Sequence, residues 1–88
     1  MQIVDVMVAH TYSSRHRQAI EESEQCGCFY CRRVFEPAAI LEWCDEGATA
    51  LCPHCGIDAV LGDASPVPAA DPAFLTRMHD HWFASQDA

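Results

Sequence analysis

The residues best equipped for chemistry in this chain are its cysteines, six in all. Cys28-Phe29-Tyr30-Cys31 and Cys52-Pro53-His54-Cys55 enclose 20 residues, giving the pattern C-x2-C-x20-C-x2-C, at the edge of the spacing used by structural zinc sites. Two residues between thiolates let a tight backbone turn aim both sulfurs at one ion about 2.3 Å away, and a hairpin between the turns returns the second pair to complete a tetrahedron. The expected metal ligands are therefore Cys28, Cys31, Cys52 and Cys55, with Zn2+ the favoured ion and iron, alone or in a cluster, the less favoured one, since spacing does not separate them. Four protein sulfurs leave no open position at which water is polarised, so such an ion acts by holding the chain together. Gly56, directly after Cys55, suits a turn that needs positive φ.

Other readings of these residues carry less. Cys-Pro-His-Cys looks like the dithiol of periplasmic thiol oxidants, but no βαβ pattern surrounds it and a second pair at zinc spacing accounts for it more simply. Cys26 and Cys44 fall outside the pattern. Cys26 is a rival for Cys28, yet only Cys28 has two residues before Cys31, so both leftover thiols are expected to be buried or half-buried bystanders, with a redox-sensitive pair or ligand exchange as the alternative. His54 sits at a turn tip and should be solvated. His79 and His81 flank a helix stripe on opposite sides and cannot share one ion, which leaves them as boundary residues or partner contacts.

The elements that position these residues follow from local pattern. Val4, Val6 and Val8 alternate with Ile3, Asp5 and Met7, which suits a short strand over residues 3–9, with a helix as the alternative. Ser13-Ser14 offers an N-cap for a helix over about 15–24, whose stripe is Tyr12, His16, Ala19, Ile20 and Ser23. Arg15 and Arg17 at its start and Glu21, Glu22 and Glu24 at its end oppose the helix dipole; either Arg17 and Glu21 form an exposed pair, or Arg15, His16 and Arg17 face a partner. Between the cysteine pairs, residues 39–44 and 48–51 around Asp45-Glu46-Gly47 read as a β-hairpin, with Pro37 able to open a helical turn ahead of it. Residues 63–70, with Pro66 and Pro68, form a semi-extended connector. Asp71-Pro72 then starts a helix to about Phe83, with Phe74, Leu75, Met78 and Trp82 on one face, Thr76, Arg77 and Asp80 opposite, and Trp82 expected to be the largest buried contributor.

The chain of 88 residues is one domain: 1–25 an N-terminal strand and helix, 26–62 a four-cysteine zinc core, 63–70 a connector and 71–84 a C-terminal helix. A chain this short buries little surface, and a metal supplies what the core lacks. The fold class expected is small α+β, a zinc-ribbon or treble-clef-like hairpin core with an N-terminal helix and a C-terminal amphipathic helix.

Three strings, Cys26-Gly27-Cys28-Phe29-Tyr30-Cys31, the run from Cys52 to Ser65 and the run from Phe74 to Phe83, resemble a family of small, uncharacterised bacterial cytoplasmic proteins. The resemblance spans most of the chain and implies a zinc-ribbon or treble-clef-like core with a C-terminal helix. It implies no activity. Cys44 looks like a departure from the pattern at a position outside the ligand set. In the segment after the second cysteine pair, Ile57 and Val60 are expected to pack inward with Asp58 capping a backbone amide, or else Asp58 belongs to a binding surface.

Composition bounds the function. Thirteen acidic residues face five basic ones, all arginine, for a net charge of -8. That balance repels a phosphate backbone and an anionic membrane and favours a basic or neutral protein partner. The run 3–9 has no basic flank and is too short for a signal h-region or a membrane span, so a cytoplasmic location with reduced thiols is expected. The leading expectation is a non-enzymatic, zinc-binding interaction protein; an inhibitor or immunity protein against a basic nuclease toxin fits this description. The alternative is a zinc-ribbon nucleic-acid-binding regulator, for which only Arg15, Arg17, Arg32 and Arg33 are at hand. An enzyme is the weakest reading, since no phosphate loop, nucleophile triad or open metal position is visible.

Overall fold

The computed structural model describes residues 6–83. Its strands form two antiparallel sheets, packed with three helices. In chain order, α1 (Val6–His10) runs through a 3-10 turn (Thr11–Ser13) to α2 (Arg17–Glu22). Then come β1 (Cys26–Cys28), β2 (Val34–Phe35), a second 3-10 turn (Pro37–Ala39), β3 (Trp43–Cys44), β4 (Thr49–Ala50), β5 (Val60–Gly62) and α3 (Pro72–Trp82).

β1 is the centre of a β2-β1-β5 sheet, with Cys26 opposite Phe35 and Gly62, Gly27 opposite Val34 and Leu61, and Cys28 opposite Val60. Small residues at its heart let helices press on both faces. A side chain at Gly27 would collide with the Ala69 carbonyl and Leu75 on the α3 side, and one at Gly62 with Ser23 and Ile20 of the α2 region. Ile20, Phe29, Val60, Leu61, Phe74, Leu75 and Met78 fill the space between and are almost fully buried. Asp63 ties the sheet's ends together: its carboxylate accepts from the Glu24 and Gln25 amides at 2.9 and 3.2 Å, and its own amide donates to the Gln25 carbonyl.

The hairpin is present but short, with Trp43 opposite Ala50 and Cys44 opposite Thr49, and Pro37 does open a helical turn before it. Asp45 and Glu46 turn the chain at φ 54 and 61. α3 begins where its sequence signals it, with Asp71 Oδ1 accepting from the Ala73 amide at 3.0 Å and Pro72 in the first turn. The connector is more than a spacer, because its own Ser65, Val67 and Ala69 are buried.

Three expectations are corrected. Residues 6–10 are helical, not a strand; residues 3–5 lie outside the described residues. The helix expected over 15–24 is shorter, and Ser13-Ser14 does not cap it: Ser13 donates to the His10 carbonyl, Arg15 takes φ 49, and the amides of His16 and Arg17 donate to the Ala48 carbonyl at 2.8 and 3.1 Å. A distant hairpin thus supplies the cap. Trp82 is only partly buried, its ring resting 4.1 Å from the His10 ring, while Phe74, Leu75 and Met78 carry the buried face of α3.

Candidate metal centre

The two Cys-x-x-Cys turns are built alike. In the first, the Arg32 amide donates to the Cys28 carbonyl at 2.7 Å and the Cys28 amide to the Arg33 carbonyl at 3.0 Å. In the second, the Gly56 amide donates to the Cys52 carbonyl at 2.9 Å and the Cys52 amide to the Ile57 carbonyl at 3.0 Å. Such a knuckle needs its fifth residue in the left-handed region, and both comply, Arg32 at φ 65 and Gly56 at φ 78. β1 leads into the first knuckle; the second follows the hairpin and leads toward β5.

This arrangement brings all four expected ligands together. The sulfurs of Cys28, Cys31, Cys52 and Cys55 lie within 4.8 Å of one another and could hold a metal ion. Cys28 and Cys55 are 3.6 Å apart and Cys31 and Cys52 3.7 Å apart. Four sulfurs placed 2.3 Å from a central ion define a tetrahedron with edges of about 3.8 Å, so the cluster is the right size for a four-thiolate ion. The His54 amide donates to Cys52 Sγ at 3.4 Å, the kind of contact that orients a thiolate. Among the described residues no other group of three or more such donors converges.

The protons follow burial. Desolvation pushes the Cys28 thiol far above its ordinary value and raises Cys55 as well. Burial acts on Cys52 in the same direction, but hydrogen bonds from the His54 amide and from Cys55 outweigh it and leave that thiol below its ordinary value. A metal ion would therefore displace protons from sulfurs that mostly hold them, so loading weakens in acid.

Cys26 and Cys44 stay outside the cluster. Cys26 is fully buried in β1, where desolvation and the nearby Asp63 push its thiol up to about 12. Cys44 is half-buried, and desolvation with Asp45 and Asp58 raises its thiol too. His54 is exposed as expected, its ring 5.7 Å from Phe35 and its Nδ1 3.5 Å from Arg33 Nη1. His79 and His81 join no metal group; His79 packs near Tyr30 and Phe83, and His81 against Trp82. Val60 is buried, Ile57 packs partly against the core and Asp58 is exposed.

The sequence reading missed the roles of two residues, His16, which it set on a helix stripe or facing a partner, and His10. His16 is buried and bridges segments: its Nδ1–H donates to the Tyr12 carbonyl at 2.6 Å, while Nε2 accepts from the Ala50 amide at 3.1 Å. Accepting at Nε2 requires the neutral ring, and burial lowers its pKa against the opposing pull of the Tyr12 carbonyl. His10 stacks on Trp82 and meets Phe29 at 5.9 Å, so α1, α3 and the first knuckle share one aromatic cluster, completed by Tyr30 4.8 Å from Phe83. Neither role has a signal in local spacing. Arg17, placed against the dipole of α2, is accounted for: Nε donates to Glu21 at 3.0 Å, Nη1 to the Gly47 carbonyl at 3.0 Å, and its guanidinium lies 4.4 Å above Trp43.

Among the described residues no helix is long and apolar enough to cross a membrane. Comparisons with protein-family models, with curated proteins and with solved structures return no match, and geometry alone carries the functional reading.

Proposed function

We propose that this chain is a zinc-stapled interaction protein without a catalytic role, which docks on a basic partner protein from the cytoplasm. The observation that carries the reading is the convergence of Cys28, Cys31, Cys52 and Cys55 on a tetrahedron of zinc-thiolate size. A four-sulfur site is coordinatively closed, so its ion serves the fold, here of the zinc-ribbon or treble-clef-like class. Thiolate preference for soft ions places zinc ahead of the hard cations, and iron remains the rival ion.

The partner class rests on charge. Four thiolates on one Zn2+ add two negative charges to the formal -8, and an acidic field of that size accelerates encounter with a positive surface. A groove of about 540 Å3 between α2 and the Pro37–Ala39 turn is bordered by Glu21, Glu24 and Glu36; Arg17 also lines it, paired with Glu21, which leaves Glu24 and Glu36 to meet the basic side chains of a partner such as a nuclease. The rival reading, a nucleic-acid regulator, draws on Arg32 and Arg33, both exposed at the first knuckle. Two arginines neutralise too few phosphates for useful affinity, and Arg17 is committed to Glu21.

The test uses purified protein. Metal analysis is expected to give one zinc per chain. Titration with a polybasic protein is expected to show association that slows as salt rises, and duplex DNA at physiological salt is expected not to bind. Submicromolar duplex binding weakened by Arg32→Ala and Arg33→Ala would replace this function with the regulator.

A further inference from the structure

We propose that the four-cysteine cluster is also a redox site, at which two hydroperoxides, each accepting two electrons, join Cys28 to Cys55 and Cys31 to Cys52 in disulfides that bridge the two knuckles and expel the metal. The geometry favours the cross-knuckle pairs, although Cys52 and Cys55 also share a side-chain hydrogen bond within their own knuckle. Each knuckle contributes one buried sulfur, Cys28 or Cys52, and one half-buried sulfur, Cys31 or Cys55. The thiols of Cys28 and Cys55, and those of Cys31 and Cys52, already face each other across the knuckles at 3.6 and 3.7 Å. Bonding requires an approach to about 2.05 Å, which the two side chains share without opening the sheet.

The half-buried sulfurs are the points of attack. The sulfur of Cys55 attacks the outer oxygen of the hydroperoxide; the O–O bond breaks, an S–O bond forms, and the alcohol (water, from hydrogen peroxide) leaves. Cys28 then attacks the sulfenyl sulfur of Cys55; an S–S bond forms, the S–O bond breaks, and water leaves. Cys31 and Cys52 repeat the sequence. For each pair, two thiols and one hydroperoxide give one disulfide, one alcohol and one water, so the full reaction consumes two hydroperoxides per chain. Once a pair is oxidised, only two thiolates remain for the ion. Cys26, fully buried, and Cys44, outside the cluster, have no thiol of the set to pair with and remain reduced.

This proposal rests on the zinc reading only for the release of the ion, and the test separates the two. The protein as purified, its zinc measured first, is treated with hydrogen peroxide; free thiols are then alkylated and the chain is cut by trypsin without reduction. Because arginine is the only cationic side chain besides histidine, cleavage gives one peptide of residues 18–32 with Cys26, Cys28 and Cys31, and another of residues 34–77 with Cys44, Cys52 and Cys55. The expected product is these two peptides joined, four hydrogens lighter than their sum, with alkylated Cys26 and Cys44. Tandem mass spectrometry assigns the pairs, and a zinc indicator reports one ion released per chain. Separate peptides each two hydrogens lighter would mean closure within each knuckle and would overturn the proposal. So would pairing of Cys28 with Cys52, a bridge to Cys26 or Cys44, or four unreacted thiols. A bridged product from a chain that carried no zinc at the outset would sink the zinc reading and support this one.

Discussion

Two residues occupy places that their side chains do not explain at first sight. Arg32 and Gly56 stand at equivalent positions of the two knuckles, both at positive φ, yet only glycine takes that conformation without strain. Among the described residues Arg32 makes no ion pair that would offset the cost. Arg32→Gly should therefore raise stability by about 0.5–1 kcal/mol, read as a higher urea midpoint with an unchanged slope. An unchanged midpoint would mean that the arginine side chain offsets its own strain. His16 makes the second case. Its pKa is lowered by burial, so below the ordinary value of about 6.5 the unfolded chain binds a proton that the folded chain resists, and stability falls as pH drops through that window. The limiting slope is about 1.4 kcal/mol per pH unit. Four other histidines and the thiolates also titrate, and comparison with His16→Gln isolates the residue: the difference in unfolding free energy between parent and variant should shrink between pH 7.5 and 5.5. A difference independent of pH would show that His16 charges without cost.

At the scale of elements, α3 and α1 make opposite cases. Truncation of Phe74, nearly inaccessible, should cost about 3–5 kcal/mol, whereas Trp82→Ala, at a partly buried ring, should cost clearly less. Denaturant unfolding of both variants checks the order; equal losses would mean that Trp82 anchors more than its burial indicates. α3 was legible because its signals are local, the Asp71 cap, Pro72 in the first turn and a stripe at 3.6-residue spacing. The candidate metal ligands were legible for the same reason, since x2 spacing builds a knuckle from six consecutive residues. α1 was not. Five residues carry no helical period, alternating valines imitate a strand, and the stacking of His10 on Trp82 that holds the segment is invisible to local pattern. α2 escaped in part because its cap is the Ala48 carbonyl, more than thirty residues away, and the burial of His16 follows from the same packing of α2 on the hairpin.

For the whole molecule the proposed metal would decide whether the pieces stay together. Cys52→Ser should abolish stoichiometric zinc and cooperative unfolding, and a chelator should do the same to the parent, because zinc-finger peptides draw about 10–16 kcal/mol from the ion, as much as a domain's entire stability. Cys44→Ser should leave both intact, since Cys44 lies outside the cluster. The reverse pattern in metal analysis and thermal melts would overturn the ligand assignment. The aromatic cluster that joins α1 and α3 to the first knuckle bears on the order of folding. The knuckles close across 21 positions, between Cys31 and Cys52, whereas His10 waits for Trp82. Closing a loop three times longer costs about 1 kcal/mol more. The two knuckles are therefore expected to find each other first, and α1 and α3 to close over a centre whose four sulfurs are already gathered.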